Sequence, residues 1–216
     1  MKKQDIIVVG LGTFGFEVAV KLNEMGHHVM AVDLDMKKVN EIKEHVEVAL
    51  QADVTDPDVL RKIDIGRFDE IILGMSSSLE AIILAITHMK KIGVQHITGK
   101  ANTRIQKEIL LKIGADRVIL PEIESADRLA EQITHPHIME KLTVDKENIL
   151  MEIKIPSSMT GKSLRQLDLR NRYGINAVML TRDGKSRIIA DPDTVFLDGD
   201  MLLVVGDETQ IKKVFD

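Results

Sequence analysis

The sequence predicts a doubly wound α/β domain with a parallel sheet, followed by a smaller α+β domain. In residues 1–120, six apolar runs of strand length alternate with segments whose apolar residues have helical spacing. Strands that alternate with helices form βαβ units, and right-handed crossovers then place helices on both faces of a parallel sheet. After Pro121 the alternation stops and short strands predominate, which indicates a second module of different architecture.

The six strands of the first domain are predicted at 6–9, 29–32, 46–50, 71–73, 96–98 and 118–120. The helices between them carry start signals: Asp56 precedes Pro57 at the first position of one helix, and Asn102 or Thr103 caps another. The glycines expected to end helices are Gly26, Gly93 and Gly114. Six strands with these connections predict a doubly wound sheet.

The second part of the chain begins with a helix predicted over 122–134. Its apolar face consists of Ile123, Ala126, Leu129, Ala130 and Ile133. This face either packs on its own sheet or forms a two-fold interface with a second copy of the chain. A connector is predicted over 135–148, and 149–216 reads as four short strands, one short helix in SLRQLDLRNRYG and a closing helix in ETQIKKVF. The predicted domains are therefore 1–134 and 149–216.

Composition and charge narrow the function classes. Of 216 residues, 44% are hydrophobic but only 3% are aromatic, so the cores must be aliphatic. The net charge of −5 argues against a nucleic-acid binder, which is usually basic. The absence of cysteine excludes thiolate metal sites and a cysteine nucleophile. No segment approaches the roughly 20 apolar residues of a membrane helix, so we expect a cytoplasmic protein with at most a peripheral membrane role.

A glycine motif follows the first strand. The residues Gly10-Leu11-Gly12-Thr13-Phe14-Gly15 match G-x-G-x-x-G and open a helix. In such a Rossmann-like turn, the glycines permit a tight turn, close approach to a pyrophosphate and close helix packing. Asp33 ends the second strand, where an acid bonds the ribose hydroxyls. The motif predicts a site that favours NAD, ATP, ADP or AMP over NADP; the alternative is a tight turn without a ligand.

Other polar residues follow later strands and are expected at the same edge of the sheet. Asp53 follows the third strand, where it either accepts a hydrogen bond from an adenine amine or caps the next helix. Met75 and Ser76 follow the fourth strand. Lys100 follows the fifth strand, where it either neutralises a phosphate or is an ordinary solvated lysine.

The sequence offers no reaction centre beside this nucleotide site. A dehydrogenase needs a proton donor or acceptor near the nicotinamide, but the single tyrosine, Tyr173, lies in the second module. The histidines have no metal-pair spacing with a carboxylate. The serine run 76–78 is not a nucleophile elbow. We therefore predict a nucleotide sensor that is not an enzyme.

Longer stretches resemble the RCK family, the regulators of conductance of K+. The first domain resembles the N-lobe (TrkA-N) in IIVVGLGTFGFEVAVKLNEMGHHVMAVDLD, QADVTD, KIGADRVILPE and DRLA. The second resembles the C-lobe (TrkA-C) in GKSLRQLDLRNRYGINAVML and LDGDMLLVVGDE. The resemblance covers essentially the whole chain, and its plan is similar to that of the KtrA/TrkA-type cytosolic subunits of bacterial potassium uptake systems.

This resemblance implies a function. RCK domains form homodimers that assemble into a ring, commonly an octamer, docked on a membrane potassium-translocating subunit at the inner face of the cell membrane. Exchange of the bound nucleotide changes the shape of the ring and so gates K+ transport. The alternatives are an RCK-type regulator of another cation channel, antiporter or transporter, and an NAD-dependent oxidoreductase.

The resemblance also assigns ligand-edge positions, which are Gly10, Gly12, Gly15, Asp33, Asp53, Lys100 and Glu122. Glu122 matches a family carboxylate that holds a divalent or monovalent cation near the phosphates; the alternative is a first-turn acid that needs no metal. Many family members have arginine where this chain has Thr13, and Ser125 and Ala126 replace a family Met-Gly pair. Because of these departures, the resemblance does not decide whether the ligand is ATP, ADP or NAD(H).

Some relatives bind cyclic di-AMP in the C-lobe. The matching positions are Leu169, Arg170, Ile175, Asn176, Ala177 and Pro192. In a ligand site, Arg170 would meet a phosphate and Asn176 a base edge. The alternative is that the apolar residues belong to the core, that Arg170 is solvated and that Pro192 marks a turn.

Overall fold

The computed structural model describes residues 3–75, 78–145, 148–189 and 191–215. The chain divides into two compact units, one ending at Ser125 and the other beginning at Ala126. None of the helices in these described parts is long and apolar enough to cross a membrane.

The first unit contains a six-stranded parallel sheet. Its strands are β1 Asp5–Val9, β2 His28–Asp33, β3 Val48–Gln51, β4 Glu70–Leu73, β5 Ile97–Lys100 and β6 Arg117–Ile119. Their order is β3-β2-β1-β4-β5-β6, and each neighbouring pair is parallel. This confirms the predicted doubly wound sheet, with strand ends within two residues of those predicted.

Five helices connect these strands. They are α1 Thr13–Glu24, α2 Met36–Ile42, α3 Pro57–Lys62, α4 Leu79–Ile92 and α5 Arg104–Ile113. Asp56 caps α3 by accepting the Asp58 N–H, and Thr103 rather than Asn102 caps α5. Gly93 and Gly114 end α4 and α5 in the left-handed region, as the sequence predicts.

Aliphatic side chains cover both faces of this sheet. On one face, Ile7 and Ile71 pack with Ile86 of α4 in one buried cluster. On the other, Val8 packs with Ala19 of α1. Each fully buried aliphatic side chain stabilises the fold by about 1.5–3 kcal/mol. Packing on both faces holds the sheet in place. The ends of its strands are therefore held at defined positions along one edge.

Helix α6, Pro121–Thr134, spans the division between the two units. Ile123 packs partly buried against the core of the first unit. Leu129 and Ile133, further along the same face, are 58% and 71% exposed. Of the predicted apolar face, then, the first residue packs on the chain's own core, and the rest is open to solvent.

The second unit contains a five-stranded antiparallel sheet. Its strands are β7 Ile138–Thr143, β8 Ile149–Lys154, β9 Asn176–Arg182, β10 Lys185–Ile188 and β11 Met201–Gly206. Their order is β10-β9-β11-β8-β7. The predicted connector over 135–148 was wrong where β7 pairs with β8. Only the first residue of β7 is buried, so its sequence lacks the apolar alternation of a half-buried strand.

The helices of the second unit differ from prediction in one place. The single helix expected in SLRQLDLRNRYG is divided into α7 Leu164–Leu167 and α8 Leu169–Tyr173. Asp168 between them has φ +48°, in the left-handed region, which an α-helix cannot continue through. The chain closes with α9, Glu208–Phe215, as expected.

An ion pair with a buried carboxylate joins Arg182, at the end of β9, to Asp200, just before β11. Asp200 is 1% exposed and accepts hydrogen bonds from two guanidinium nitrogens of Arg182, at 2.7 and 2.6 Å. The Leu197 N–H also donates to it at 2.8 Å. Burial acts to raise the pKa of Asp200, but the bonds from Arg182 and Leu197 outweigh it, so the pKa lies below its ordinary value.

Candidate nucleotide-binding site

A cavity of about 420 Å³ opens at the carboxyl edge of the parallel sheet. The ends of β1 to β5 and the starts of α1 and α6 contribute to it. Its lining consists of Val9, Gly10, Gly12, Thr13, Phe14, Asp33, Leu34, Lys38, Ala52, Asp53, Val54, Thr55, Gly74, Met75, Ser78, Ala81, Lys100 and Glu122. A cavity of this size and position is where open α/β sheets hold ligands.

The three motif glycines have different roles. Gly10 has φ +88°, and a Cβ added to it would lie 2.5 Å from the Met75 nitrogen. A Cβ on Gly15 would lie 1.9 Å from the Gly10 oxygen, so this position must be glycine for α1 to pack against the turn. Gly12 faces open space and lines the cavity. Gly10 and Gly15 shape the turn, and Gly12 leaves room for a ligand to approach the backbone.

Helix α1 begins at the cavity. Gly12 is its N-cap and supplies no side-chain cap, and Thr13 and Phe14 of the first turn line the cavity. The first amides of a helix have no intrahelical acceptor, and together with the helix dipole they favour an anion. The start of α1 is therefore a place where the backbone can accept an anion such as a phosphate.

Asp33 lies at the end of β2 with its carboxylate already engaged. Oδ2 accepts the Leu11 N–H at 2.6 Å, and Oδ1 accepts the Asp35 N–H at 2.8 Å. The Lys38 ammonium lies 3.3 Å from Oδ2. Burial acts to raise the pKa of Asp33, but the two backbone bonds and Lys38 outweigh it and hold the pKa below its ordinary value. The group is therefore a fixed, ionised acceptor.

Asp53 lines the cavity after β3, but a local turn also engages it. Its Oδ1 accepts the backbone N–H of Thr55 at 2.9 Å and the Thr55 hydroxyl at 2.7 Å. Asp56, not Asp53, caps α3. Asp53 Oδ2 has no partner among the described residues, so it is the carboxylate oxygen of this turn that a ligand could use.

Lys100 and Glu122 form an ion pair in the cavity lining. The Lys100 ammonium is 2.5 Å from Glu122 Oε1, and it lies 5.9 Å from the centre of the Phe14 ring. Lys100 is 8% exposed, so it is not an ordinary solvated lysine. Its hydrogen bond lowers the pKa of Glu122. A cation held by Glu122 would have to compete with this ammonium, and no group of three or more histidine, aspartate or glutamate side chains able to hold a metal occurs among the described residues.

The structure brings most of the predicted site residues together. Gly10, Gly12, Thr13, Phe14, Asp33, Asp53, Met75, Lys100 and Glu122 line the one cavity. Gly15 supports the turn from behind, and Ser76 lies outside the described residues.

Among the lining residues that the sequence did not single out, Lys38 and Gly74 have contacts that shape the site. Lys38 contacts Asp33 from the first turn of α2. Gly74 lies just after β4, and a Cβ added to it would lie 2.9 Å from the Gly10 oxygen, so this position is tight for any residue other than glycine. The signals available were a lysine five residues after the acid and a glycine that ends the strand beside β1. Neither signal is specific without the fold.

The six predicted C-lobe positions are divided between core and surface. Leu169 and Ile175 are 2% and 0% exposed, and both belong to the core of the second unit. Arg170, Asn176 and Pro192 are exposed. Ala177 packs partly buried against the same core. The two buried residues, Leu169 and Ile175, are therefore not accessible to a ligand in a single chain. A cyclic di-AMP site stays a prediction.

Comparison with known proteins gives matches along almost the whole chain. The TrkA-N domain family matches residues 6–121, and the TrkA-C domain family matches residues 150–216. The Ktr system potassium uptake protein C of Bacillus subtilis (strain 168) is 37% identical over 212 residues, covering 98% of this chain and 96% of that protein. Protein A of the same system and organism is 27% identical over 213 residues, covering 99% and 96%.

Solved structures agree on the fold. The GsuK channel matches with a TM-score of 0.69 at 16% identity, over 97% of this chain and 38% of that chain. The structure described as the GsuK channel bound to NAD matches with a TM-score of 0.56 at 21% identity, over 100% and 38%. At these identities the likeness shows the fold alone, and this chain spans well under half of the GsuK channel.

A doubly wound domain with a cavity at its sheet edge, followed by a small antiparallel domain, is also the fold of the GsuK RCK domain, which matches with a TM-score of 0.66 at 15% identity. The chain belongs to the TrkA-type RCK family of potassium-transport proteins, with a TrkA-N domain followed by a TrkA-C domain. It is a homologue of the Ktr system potassium uptake proteins C and A of Bacillus subtilis.

Proposed function

We propose that the chain is the cytosolic, nucleotide-sensing subunit of a membrane potassium uptake system, and that it regulates K+ transport without catalysing a reaction. The observation that carries the proposal is the cavity at the sheet edge, with an uncapped helix start and an ionised Asp33 in the same lining. Full-length relatives named as Ktr potassium uptake proteins support the transport role.

The ligand is an adenine nucleotide: ATP, ADP or NAD(H). The amides at the start of α1 suit a pyrophosphate, which all three share. Asp33 suits the ribose hydroxyls, and Asp53 suits an adenine amine. The Lys100–Glu122 pair offers one charge of each sign, so the ammonium can turn to a phosphate while the carboxylate takes a divalent or monovalent cation. Solved neighbours described as bound to NAD and to ADP support this ligand class.

A regulatory role suits the side chains of the cavity better than a redox reaction does. Neither histidine nor tyrosine occurs among the described residues that line it. Histidine and tyrosine are common proton donors and acceptors in catalysis. Aspartate, glutamate and lysine side chains can also serve, but those of the lining other than Asp53 are held in the Asp33–Lys38 and Lys100–Glu122 pairs. Gating instead requires that two ligands bind the two states of the assembly with different affinities.

The acting form is a homodimer, assembled further into a ring that is most simply an octamer. The exposed apolar residues Leu129 and Ile133 of α6 support a dimer interface there. Glu131, on another side of α6, bonds Lys212 at 2.7 Å and is 3.5 Å from Lys141. These contacts hold the second half of α6 on its own second unit and leave the apolar side free for a second copy. The partner of the ring is a membrane subunit that translocates K+, at the inner face of the membrane.

Growth at limiting K+ tests the transport role in the cell of origin. Deletion of the gene should slow growth at low K+, and the wild-type gene should restore it. The Asp33→Asn variant should restore growth poorly, while Glu44→Gln, which changes an exposed acid away from the cavity, should restore it fully. Normal growth of the deletion strain at low K+, with altered transport of another ion or solute, would favour a regulator of a different transporter.

A separate measurement addresses the enzyme alternative. The purified chain is incubated with NADH and candidate carbonyl acceptors, and NADH absorbance is followed. Sustained oxidation of NADH would contradict the regulatory proposal and show that the chain is an oxidoreductase.

A further inference from the structure

Lys38 places a positive charge against Asp33 at the ribose end of the cavity. Its ammonium is 3.3 Å from Asp33 Oδ2, and both residues line the same cavity. The Lys38 side chain is 39% exposed, whereas that of Asp33 is 9% exposed. The acid is therefore fixed and the lysine can move. Lys38 lies in the first turn of α2, the helix that follows β2 directly.

The hydrogen-bond capacity of the carboxylate is partly used before any ligand arrives. Oδ2 accepts from Leu11 and Lys38, and Oδ1 accepts from Asp35. A carboxylate has about four acceptor sites in all, so one remains free for a ribose hydroxyl. A second hydroxyl can bond Asp33 only if Lys38 moves aside, which its exposure permits.

The same lysine changes the electrostatics at the ribose 2′ position. An unpaired acid here repels a 2′-phosphate, which is the usual basis for preferring NAD over NADP. In this chain the acid is paired, so the local charge is close to zero rather than negative. An ammonium has three N–H donors, so Lys38 can bond Asp33 and a 2′-phosphate together. Asp53 is then the remaining acid in this part of the lining, with an oxygen that has no partner among the described residues.

We propose that Lys38 is a specificity-determining residue, and that it lets the site accept nucleotides with a 2′-phosphate that Asp33 alone would exclude. The inference rests on the proposed function, because it requires an adenine nucleotide in this cavity with its ribose at Asp33. It predicts weak selection between NAD+ and NADP+, with a residual preference for NAD+ because Asp53 is not paired with a cation.

The test uses two ligands and two lysines. NAD+ and NADP+ differ only in the 2′-phosphate, and their affinities are measured by calorimetry on the full chain. Lys38→Met removes the charge and keeps the length of the side chain. Lys37→Met is the matched control, since Lys37 is an exposed lysine on the same helix that does not line the cavity. Circular dichroism checks that each variant is folded.

For the wild type we expect affinities for NAD+ and NADP+ within about tenfold, as one modest interaction allows. Lys38→Met should weaken NADP+ binding by about tenfold or more, the range for a charge-assisted hydrogen bond, and should leave NAD+ binding nearly unchanged or slightly tighter. Lys37→Met should change neither.

Two contrary outcomes are distinct. If NAD+ binds and the ratio of affinities is the same in Lys38→Met as in the wild type, the role of Lys38 is wrong and the nucleotide site stands. If neither NAD+, NADP+ nor ADP binds the wild type, the proposed function fails, and the role of Lys38 fails with it.

Discussion

Replacing Asp33 with asparagine removes one negative charge from the cavity lining and nearly preserves the shape of the side chain. In the free protein this carboxylate accepts the Leu11 and Asp35 N–H groups, at 2.6 and 2.8 Å. Asparagine keeps one acceptor oxygen and replaces the other with an NH₂ group, which cannot accept. The substitution therefore affects both the ligand bond and the turn that shapes the cavity.

The effect on binding follows from the class of hydrogen bond. A hydrogen bond to a charged group contributes about 1.5–3 kcal/mol, and a neutral one about 0.5–1.5 kcal/mol. Loss of the charge then costs about 1–2 kcal/mol for one ribose hydroxyl, or about 5- to 30-fold in affinity. All adenine nucleotides should weaken similarly, because they share this ribose.

The effect on stability has a separate origin. The Leu11 residue is 3% exposed, so its N–H cannot turn to water if asparagine presents its NH₂ group. A buried polar group left without a partner costs about 1–3 kcal/mol. The folded pKa of Asp33 is lowered, so its stabilising contribution is complete above the unfolded value of about 3.9 and is lost as the pH falls toward the folded pKa. The stability gap between wild type and Asp33→Asn should therefore narrow in acid.

Calorimetric titration with ATP, ADP and NAD+ gives the affinities, and urea unfolding at neutral and acidic pH gives the stabilities. Glu44→Gln is the control, because it removes one negative charge from an exposed position outside the cavity. Equal affinities in Asp33→Asn and Glu44→Gln would show that Asp33 does not contact the nucleotide. A stability gap that does not change with pH would show that Asp33 is not the titrating group.

Three further predictions concern other parts of the chain. Thr13 lines the cavity but is too short to reach a terminal phosphate, so paired titrations should show that ATP binds less than about tenfold more tightly than ADP. Thr13→Arg should raise this preference for ATP. A hundredfold preference of the wild type for ATP without Mg²⁺ would contradict the prediction for Thr13. Leu129→Asp should abolish dimer formation, measured by light scattering, and leave the circular dichroism spectrum unchanged. Met25→Asp, at a similarly exposed position, should leave the dimer intact. A Leu129→Asp variant that stays dimeric would rule out the apolar face of α6 as the dimer interface. Asp200→Asn should lower the free energy of unfolding of the second unit by about 1–3 kcal/mol at neutral pH. The loss of stability in acid should then be smaller than in the wild type, because the pKa of Asp200 is lowered in the folded protein and its contribution disappears as the pH falls. Asp198→Asn, at an exposed position, is the control, and equal effects of the two substitutions would refute the role of Asp200.

The sequence was most informative where structure depends on neighbours in the chain. A strand, a glycine turn and a helix start lie within ten residues of one another, so Gly10, Gly12 and Gly15 could be assigned from spacing alone. Asp33 followed because the motif fixes where the next strand ends. Helix caps and glycine stops were also readable, since a cap acts on a backbone N–H two or three residues away.

The sequence was least informative where an element has little apolar pattern or a local break. Strand β7 buries only its first residue, so it gives no alternating signal and resembled a connector. The break at Asp168 is a single left-handed residue in a sequence that otherwise suits one helix. The exposure of Ala126, Leu129, Ala130 and Ile133 on α6 could not be predicted from spacing, because the same apolar pattern suits packing on the chain's own sheet or a two-fold interface.

The sequence by itself determined that a G-x-G-x-x-G turn follows the first strand, that Asp33 ends the second strand, and which family the chain resembles, because these depend on short-range spacing. Only the tertiary structure decided the state of the site. Lys38 meets Asp33, Lys100 meets Glu122, and Gly74 meets the Gly10 turn. The last two of these contacts join residues 22 or more positions apart, and they form because the strand order β3-β2-β1-β4-β5-β6 brings separate strand ends to one edge. Lys38 is close in sequence, but the direction of its side chain is set by how α2 packs beside β2, and sequence spacing does not specify that packing.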